Sequence, residues 1–301
     1  MHMFHETCVA ELQRLGMQQL CPLCRSPLSP ELEFYFMEIA HRYIAVQRMV
    51  ERGDMTWSAL PTWAQNEMAK VVAELRAVAS KDFMHAYQFL GWLYESGRGV
   101  AQSHEEAARW YTKAAEKGSA QAQCKLGSMF DEGYGVEQSD TMAAHWIRRS
   151  AEQGYPRAQC YLGRLFELGR GVAQNDEEAV QWWQKSAAQG FAEAQSFMGV
   201  AFELGIGVDQ SVAEARRWYT KAADQGGDSA LVRMSVVLGS GRGAIRSNAK
   251  EARGSSRAAE QEAEGSRDLT EGDREAAVHS LRKAADQGRA GAQYSLGVMF
   301  L

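Results

Sequence analysis

The chain has 301 residues, of which 45% are hydrophobic and 24% are charged, so it is neither wholly disordered nor collagen-like. Its net charge of −5 argues against a nucleic-acid-binding protein, because such a protein carries a surplus of basic residues. No apolar run approaches the roughly 18 residues that a membrane-spanning helix requires, so we expect proteins, and neither nucleic acid nor membrane, as partners.

The first 24 residues are rich in cysteine and histidine. The candidate zinc ligands are His2, His5, Cys8, Cys21 and Cys24. Zn²⁺ prefers four nitrogen or sulfur donors in a tetrahedron, and a C-x-x-C pair with spaced further ligands is typical of zinc sites. Five ligands are one more than a single zinc ion needs, which suits part of a two-zinc module.

This segment, about residues 1–30, resembles the second half of a RING finger of the two-histidine type. The resemblance implies that His2, Cys21 and Cys24 hold one zinc ion, and that His5 and Cys8 hold the other. The three earlier cysteine ligands of the family would precede the first residue. We therefore expect a truncated RING finger with two incomplete zinc sites, and a small zinc module without its metal is usually unfolded.

RING fingers of ubiquitin ligases hold a ubiquitin-conjugating enzyme in a shallow groove. The resemblance places Pro22 and Leu12 at that groove, and Arg25 at the position that contacts ubiquitin. Such a module has no nucleophile and acts by orienting the reactants. The predicted function is a RING-type ubiquitin ligase whose repeats bind a protein substrate. The alternative is a non-enzymatic interaction scaffold with a structural or degenerate zinc module.

Residues 31–82 predict two helices, Glu31 to Glu51 and Pro61 to Ser80, joined by a turn segment in which Trp57 packs back onto them. Leu75, Ala79 and Asp82 precede Tyr111, Ala115 and Gly118 by 36 positions. We therefore interpret this region as a degenerate repeat that caps those that follow.

A period of 36 residues then dominates the chain. Tryptophan recurs at Trp110, Trp146, Trp182 and Trp218; glycine recurs at Gly91, Gly127, Gly163 and Gly199, and again at Gly118, Gly154, Gly190 and Gly226. Each unit predicts a first helix with the pattern A-x-x-x-L-G-x-x-[FY], a G-x-G-V loop whose glycine ends that helix, and a second helix. In the second helix of the first unit, Glu105 to Lys117, we expect the apolar residues, the tryptophan included, to form one buried face. One helix pair cannot bury such a face alone, so the fold class is all-α, an α/α solenoid.

The repeat pattern resembles the Sel-one-like repeat family over about residues 84–301. The resemblance implies stacked helix pairs of 36 residues whose surface holds other proteins. Tetratricopeptide repeats, the neighbouring alternative, have 34 residues and lack the G-x-G-V loop. The repeats contain no constellation of nucleophile, base and oxyanion donor, and their glycine loops lack the preceding strand of a phosphate-binding motif.

A fifth unit is interrupted. The run Ala284 to Gly288 repeats Ala222 to Gly226 at a distance of 62 rather than 36 residues. The insert, about residues 244–272, has too few large apolar residues to order itself, so it predicts a disordered loop or a retained non-coding stretch. A sixth unit opens at Arg289, so the repeat domain spans 83–301 with about five and a half repeats.

Two cysteines and four histidines lie in the repeat region. Cys124 and Cys160 lie at equivalent repeat positions and are predicted to be buried free thiols. Cysteines of the zinc-binding type favour a reducing compartment, cytoplasmic or nuclear. His85, His104, His145 and His279 have no ligand partner at metal spacing and are predicted to be packing or solvated residues.

Overall fold

The computed structural model describes residues 30–225 and Arg282. Within 30–225 the chain forms ten α-helices, and the β-type pairing found there is one isolated bridge between Thr56 and Ala59. The helices are α1 Pro30–Glu51, α2 Thr62–Ala79, α3 Met84–Ser96, α4 His104–Glu116, α5 Ala120–Glu132, α6 Asp140–Glu152, α7 Pro156–Leu168, α8 Asp176–Ala188, α9 Ala192–Leu204 and α10 Val212–Asp224. The predicted all-α class is therefore confirmed. The predicted zinc finger and the insert at 244–272 lie outside the described residues.

The helices belong to two compact units, Met1–Gln153 and Gly154–Leu301. In the first unit α3 packs on α4 and α5 packs on α6, while α4 and α5 connect the two pairs. In the second unit α7 packs on α8 and α9 packs on α10, while α8 and α9 make the corresponding connection. Within each unit the predicted helix pairs thus stack in solenoid order.

The pair α1 and α2 precedes the first repeat, and α2 packs on α3. Asp82 ends this pair with a φ of 65°, the positive-φ conformation that Gly118 adopts 36 residues later. Hydrogen bonds from Lys117 and Tyr87 stabilise the Asp82 carboxylate and lower its pKa. The ring of Trp57 stacks on Tyr43 at 5.8 Å. Trp57 therefore packs on this pair as expected, and the interpretation of residues 31–82 as a degenerate capping repeat stays a prediction.

The start and the end of each repeat helix have local causes. The side chains of Ser103, Ser139, Asn175 and Ser211 accept hydrogen bonds from backbone N–H groups three residues later, which caps the second helices. The first helices end at Gly97, Gly133, Gly169 and Gly205, all in the left-handed conformation. Both boundaries are therefore encoded by single residues that recur every 36 positions.

Small residues let the two helices of a pair approach closely. Each first-helix glycine lies under a large side chain of the second helix: Gly91 under Tyr111, Gly127 under Ile147, Gly163 under Trp183 and Gly199 under Tyr219. These four large side chains are at most 4% exposed. The core of each repeat is thus built around this contact.

The prediction that places the tryptophan series in that core is wrong for three of its four members. Trp146 is buried, but Trp110, Trp182 and Trp218 are only half-buried. In those three repeats the residue that follows the tryptophan is the buried one. A cationic side chain three residues later covers each indole: Lys113 at 4.5 Å, Arg149 at 5.1 Å, Lys185 at 3.9 Å and Lys221 at 4.2 Å from the ring centroid. Adjacent residues of a helix point about 100° apart, so only one of two neighbouring large side chains can face the core. The 36-residue period marks both of them and does not tell which one is buried.

Glutamine side chains connect the two helices of a repeat and also connect a repeat to the one before it. Gln153 donates to Gln123 at 2.6 Å in the first unit, and Gln189 donates to Gln159 at 2.8 Å in the second. Gln123 in turn donates to the backbone carbonyl of Ala115 at 3.0 Å. These bonds satisfy buried amide groups that would otherwise destabilise the fold. Cys124 and Cys160 are buried thiols that form no disulfide with each other, as predicted.

Candidate protein-interaction surface

In each unit, the side chains that the first helices leave exposed form what we call its first-helix face: α3 and α5 supply it in the first unit, and α7 and α9 supply it in the second. Three internal positions are constant in α5, α7 and α9: Ala122, Ala158 and Ala194; Gln123, Gln159 and Gln195; Gly127, Gly163 and Gly199. Face positions vary: Gln121, Arg157 and Glu193; Lys125, Tyr161 and Phe197; Ser128, Arg164 and Val200; Glu132, Leu168 and Leu204. A constant framework therefore presents a different set of side chains in each repeat.

In the first unit the face contains a cleft of about 40 Å³. Its lining consists of Gln88, Phe89, Trp92, Tyr111, Gln121, Ala122 and Lys125. The aromatic rings supply apolar surface, whereas the amide groups and the ammonium group supply hydrogen-bond donors. The cleft is far smaller than the roughly 300–1,000 Å³ of a small-molecule pocket, so it is a local depression of the surface.

Glu95 accepts two hydrogen bonds beside this cleft. The phenol of Tyr111 donates to one carboxylate oxygen at 2.6 Å, and the ammonium group of Lys125 donates to the other at 2.7 Å. Burial, together with the Glu95 charge and hydrogen bond, raises the pKa of Tyr111 well above 10.0. The second unit repeats the first of these contacts, because Tyr219 donates to Glu203 at 2.6 Å.

We predict that Tyr111→Phe makes stability less sensitive to alkaline pH. The folded state holds the phenolic proton more tightly than the unfolded chain does, so stability is full below about pH 10 and falls as the pH rises towards the folded-state pKa. Phenylalanine removes this dependence and costs about 1 kcal/mol near neutral pH through the lost hydrogen bond. Urea unfolding at a series of alkaline pH values measures both effects.

The control is Tyr134→Phe, since Tyr134 is 53% exposed. This control should leave the alkaline slope of the unfolding free energy at its wild-type value. Equal slopes for wild type and Tyr111→Phe would refute the link between Tyr111 and alkaline stability.

His85 is a packing residue, as predicted. Its ring lies 5.3 Å from that of Phe83 and 6.3 Å from that of Phe36, measured between centroids. Burial lowers the pKa of His85, because the apolar surroundings disfavour the imidazolium form. The neighbouring aromatic rings belong to the capping pair and to the start of the first repeat.

We predict that His85→Gln reduces the acid sensitivity of the first unit. The unfolded chain takes up a proton on His85 near pH 6.5, whereas the folded state resists it, so stability is present above that pH and is lost below it. Thermal unfolding at a series of pH values from neutral to about pH 5 follows this loss. The exposed residue His145 supplies the control, and an acid slope reduced equally by His145→Gln would contradict the prediction.

Arg98 joins the capping pair to the first repeat. Its guanidinium group lies 4.9 Å from the ring centroid of Trp92 and 5.8 Å from that of Trp57. One of its nitrogens lies 3.5 Å from the Tyr43 hydroxyl. This cluster covers one side of Trp92, which also lines the cleft.

In the second unit the face is predominantly apolar. We call the set Tyr161, Arg164, Leu168, Phe197, Val200 and Leu204 the apolar stripe. Leu168 is 54% exposed and Leu204 is 59% exposed. The guanidinium of Arg164 lies over two aromatic rings, 5.9 Å from the centroid of Tyr161 and 5.8 Å from that of Phe197. The stripe therefore combines exposed apolar groups with a single central cation.

The site residues predicted from the zinc-finger resemblance stay a prediction. His2, His5, Cys8, Leu12, Cys21, Pro22, Cys24 and Arg25 all lie outside the described residues. Within residues 30–225 no set of three or more histidine, cysteine, aspartate or glutamate side chains is grouped to hold a metal ion. In the same range no helix is both long and apolar enough to cross a membrane.

The glycine-ended first helices, capped second helices and 36-residue period define a helical-repeat protein of the α/α type. The Sel1 repeat model matches residues 85–119, 120–155, 156–191, 192–227 and 263–288. Because these matches cover more than half of the chain, the chain belongs to the Sel1 repeat family. The last match falls on the interrupted fifth unit that the sequence predicts. All five begin at or after residue 85, so they do not test the zinc-finger prediction.

Solved structures of two repeat proteins are similar to the chain. A Sel1 repeat protein from Oxalobacter formigenes is 30% identical with a TM-score of 0.50, over 58% of this chain and 74% of that one. The protein c5321, a protective antigen of uropathogenic Escherichia coli displaying an SLR fold, is 29% identical with a TM-score of 0.56, over 87% of this chain. The chain spans 56% of the length of that antigen. No curated protein sequence matches at a significant level.

Proposed function

We propose that the chain is a non-enzymatic scaffold that binds partner proteins on its first-helix face. Sel1 repeats typically mediate interactions between proteins, and the helical framework suits that role. The observation that carries the proposal is the contrast between internal and face positions: internal alanine, glutamine and glycine recur, whereas face residues change in size and charge from repeat to repeat. Residues that vary on a constant framework are those that discriminate between partners.

Affinity purification from cells of the source organism, with the full chain as bait, tests this proposal. One face variant combines Gln121→Ala with Lys125→Ala in the first unit, and another combines Leu168→Ser with Leu204→Ser in the second. The matched control combines Gln181→Ala with Gln184→Ala, two exposed residues of α8 that are not on the face. Partners enriched by wild type and by the control should decrease with at least one face variant. An unchanged set of partners with both face variants would exclude this face as the binding surface.

Ubiquitin ligation is a second candidate, supported by the ligand spacing in residues 1–24 alone. In this proposal the zinc module recruits a ubiquitin-conjugating enzyme and the first-helix face binds the substrate. Zinc would be held by His2, His5, Cys8, Cys21 and Cys24, together with donors from outside the chain. The repeat matches favour the scaffold, since they account for the helical part without any zinc chemistry.

We predict that zinc content tests the ligase hypothesis. Thiolate ligands bind Zn²⁺ tightly, so the double variant Cys21→Ser with Cys24→Ser should lose zinc that the wild-type chain retains. Metal analysis of purified protein measures zinc per chain, and Cys124→Ser, a buried thiol in α5, is the control. Absence of zinc from the wild-type chain, and from a form extended by any in-frame upstream sequence, would refute the ligase hypothesis. Zinc in the extended form would justify ubiquitin-transfer assays.

A further inference from the structure

The apolar stripe of the second unit is not required by the repeat fold. In α5, Lys125 occupies the repeat position of Tyr161 and Phe197, and Glu132 occupies that of Leu168 and Leu204. Polar side chains therefore serve equally well at both positions. An exposed leucine side chain does not contribute to stability, because apolar surface stabilises a protein, by about 25 cal/mol per Å², only when it is buried. Contiguous exposed apolar patches of this kind mark interaction sites.

Arg164 determines which apolar partner the stripe accepts. Its guanidinium group lies over the rings of Tyr161 and Phe197, between the apolar groups that a partner would cover. A purely apolar partner would bury this charge with no countercharge of its own, leaving only the Glu167 carboxylate of the same helix to interact with it, which is costly. A carboxylate matches a guanidinium in charge and geometry and forms two parallel hydrogen bonds with it.

The geometry points to a specific occupant: a segment of a different protein that places apolar side chains on the leucines and an aspartate or glutamate on Arg164. This inference rests on the proposed scaffold function and assigns a partner chemistry to one part of the first-helix face. A second copy of the chain fits less well. Two stripes placed face to face would bring two Arg164 side chains together, and like charges repel.

Selection of random peptides displayed on phage, with the full chain as target, provides the test. We expect the enriched peptides to combine apolar residues with aspartate or glutamate. The best of them, synthesised and measured by calorimetry, should lose at least about tenfold in affinity to the variant with Leu168→Ser and Leu204→Ser, since a factor of ten corresponds to only 1.4 kcal/mol. Selection on Arg164→Glu should instead enrich lysine and arginine.

Two controls separate binding from folding. Gln181→Ala with Gln184→Ala, on the exposed side of α8, should keep wild-type affinity. All variants should keep the wild-type helical content and unfolding temperature, because the substituted side chains are exposed or only half-buried.

Three results would overturn the inference. They are enriched peptides without acidic residues, equal binding of the acidic peptides to Arg164→Glu, and sedimentation showing that the wild-type chain self-associates through Leu168 and Leu204. If the stripe variants have no effect while Gln121→Ala with Lys125→Ala still loses partners, the scaffold function stands and the stripe assignment falls. If neither face variant changes partner binding, both proposals fail.

Discussion

Replacing Gly135 by alanine should strongly destabilise the first unit, and by more than Gly118→Ala does. Gly135 has a φ of 70°, and a Cβ atom there would overlap the carbonyl group of His104 and lie 2.6 Å from the nitrogen of Glu105. Those atoms are backbone atoms at the start of α4, so they cannot rotate away as a side chain could. We expect a loss of more than about 4 kcal/mol in the free energy of unfolding, a size reserved for severe steric mechanisms.

Gly118→Ala is the matched control. Gly118 also has a positive φ, 93°, but a Cβ atom there would meet no other atom within 4 Å, so only the backbone strain remains. That strain costs about 1–2 kcal/mol. Urea unfolding followed by circular dichroism compares the two variants. Equal losses would mean that the loop shifts to relieve the overlap. Gly135, the second glycine of the G-x-G-V loop, would then be needed only because of its positive φ.

Gly163→Ala should destabilise the second unit by about 2–3 kcal/mol, the usual cost of overpacking a tight core. A Cβ atom at this position would lie 2.5 Å from Cδ1 and Nε1 of Trp183 and 2.9 Å from the carbonyl oxygen of Ala179. The indole is fully buried, and its N–H donates to the carbonyl oxygen of Cys160 at 3.2 Å. Moving the ring therefore also stretches this buried hydrogen bond. Chemical unfolding of the full chain measures the loss.

A double-mutant cycle with Trp183→Leu separates the steric contact from other effects. The smaller side chain leaves room for the alanine methyl group, so the double variant should be about 1–2 kcal/mol more stable than the sum of the single losses predicts. Gly190→Ala is the control for backbone strain without overlap, because Gly190 has a φ of 86° and its nearest neighbour is the Gln225 side chain at 4.0 Å, so we expect a loss of only about 1–2 kcal/mol. Additive losses for Gly163 and Trp183 would show that the contact between them does not limit the packing.

Both predictions concern glycines that the 36-residue period of the sequence reveals. Their recurrence indicates that a side chain is excluded at these positions, but it does not identify the neighbouring atoms that exclude it. Gly163 lies inside a helix, where glycine is otherwise unfavourable by about 1 kcal/mol relative to alanine. The tertiary structure supplies the reason, since the Trp183 ring occupies the space above it. A locally unfavourable residue is thus retained for close packing of the two helices.

The boundaries of the helices are predictable because their signals are local. The expected helix from Glu31 to Glu51 is observed as Pro30–Glu51, and the expected helix from Glu105 to Lys117 is observed as His104–Glu116. Capping serines and left-handed glycines act within one helical turn, so a single sequence contains all the information they need.

The interaction surface is less predictable. Periodicity marks Trp182 and Trp183 together, yet only Trp183 is fully buried, while Trp182 is covered by Lys185. The apolar stripe is not among the predicted features, although its signal exists in the sequence. Comparison of the face positions across repeats shows tyrosine, phenylalanine and leucine where another repeat has lysine and glutamate.

The amino-acid sequence by itself determined the helix pairs, their period and the family, because caps, glycines and apolar spacing act over a few residues and repeat every 36. Only the tertiary structure decided which side chains remain exposed after the helices stack. Exposure of Leu168 and Leu204 depends on how α7 and α9 pack against the second helices of their unit. Stacking covers one side of each helix, and the side left uncovered is where a partner protein can bind.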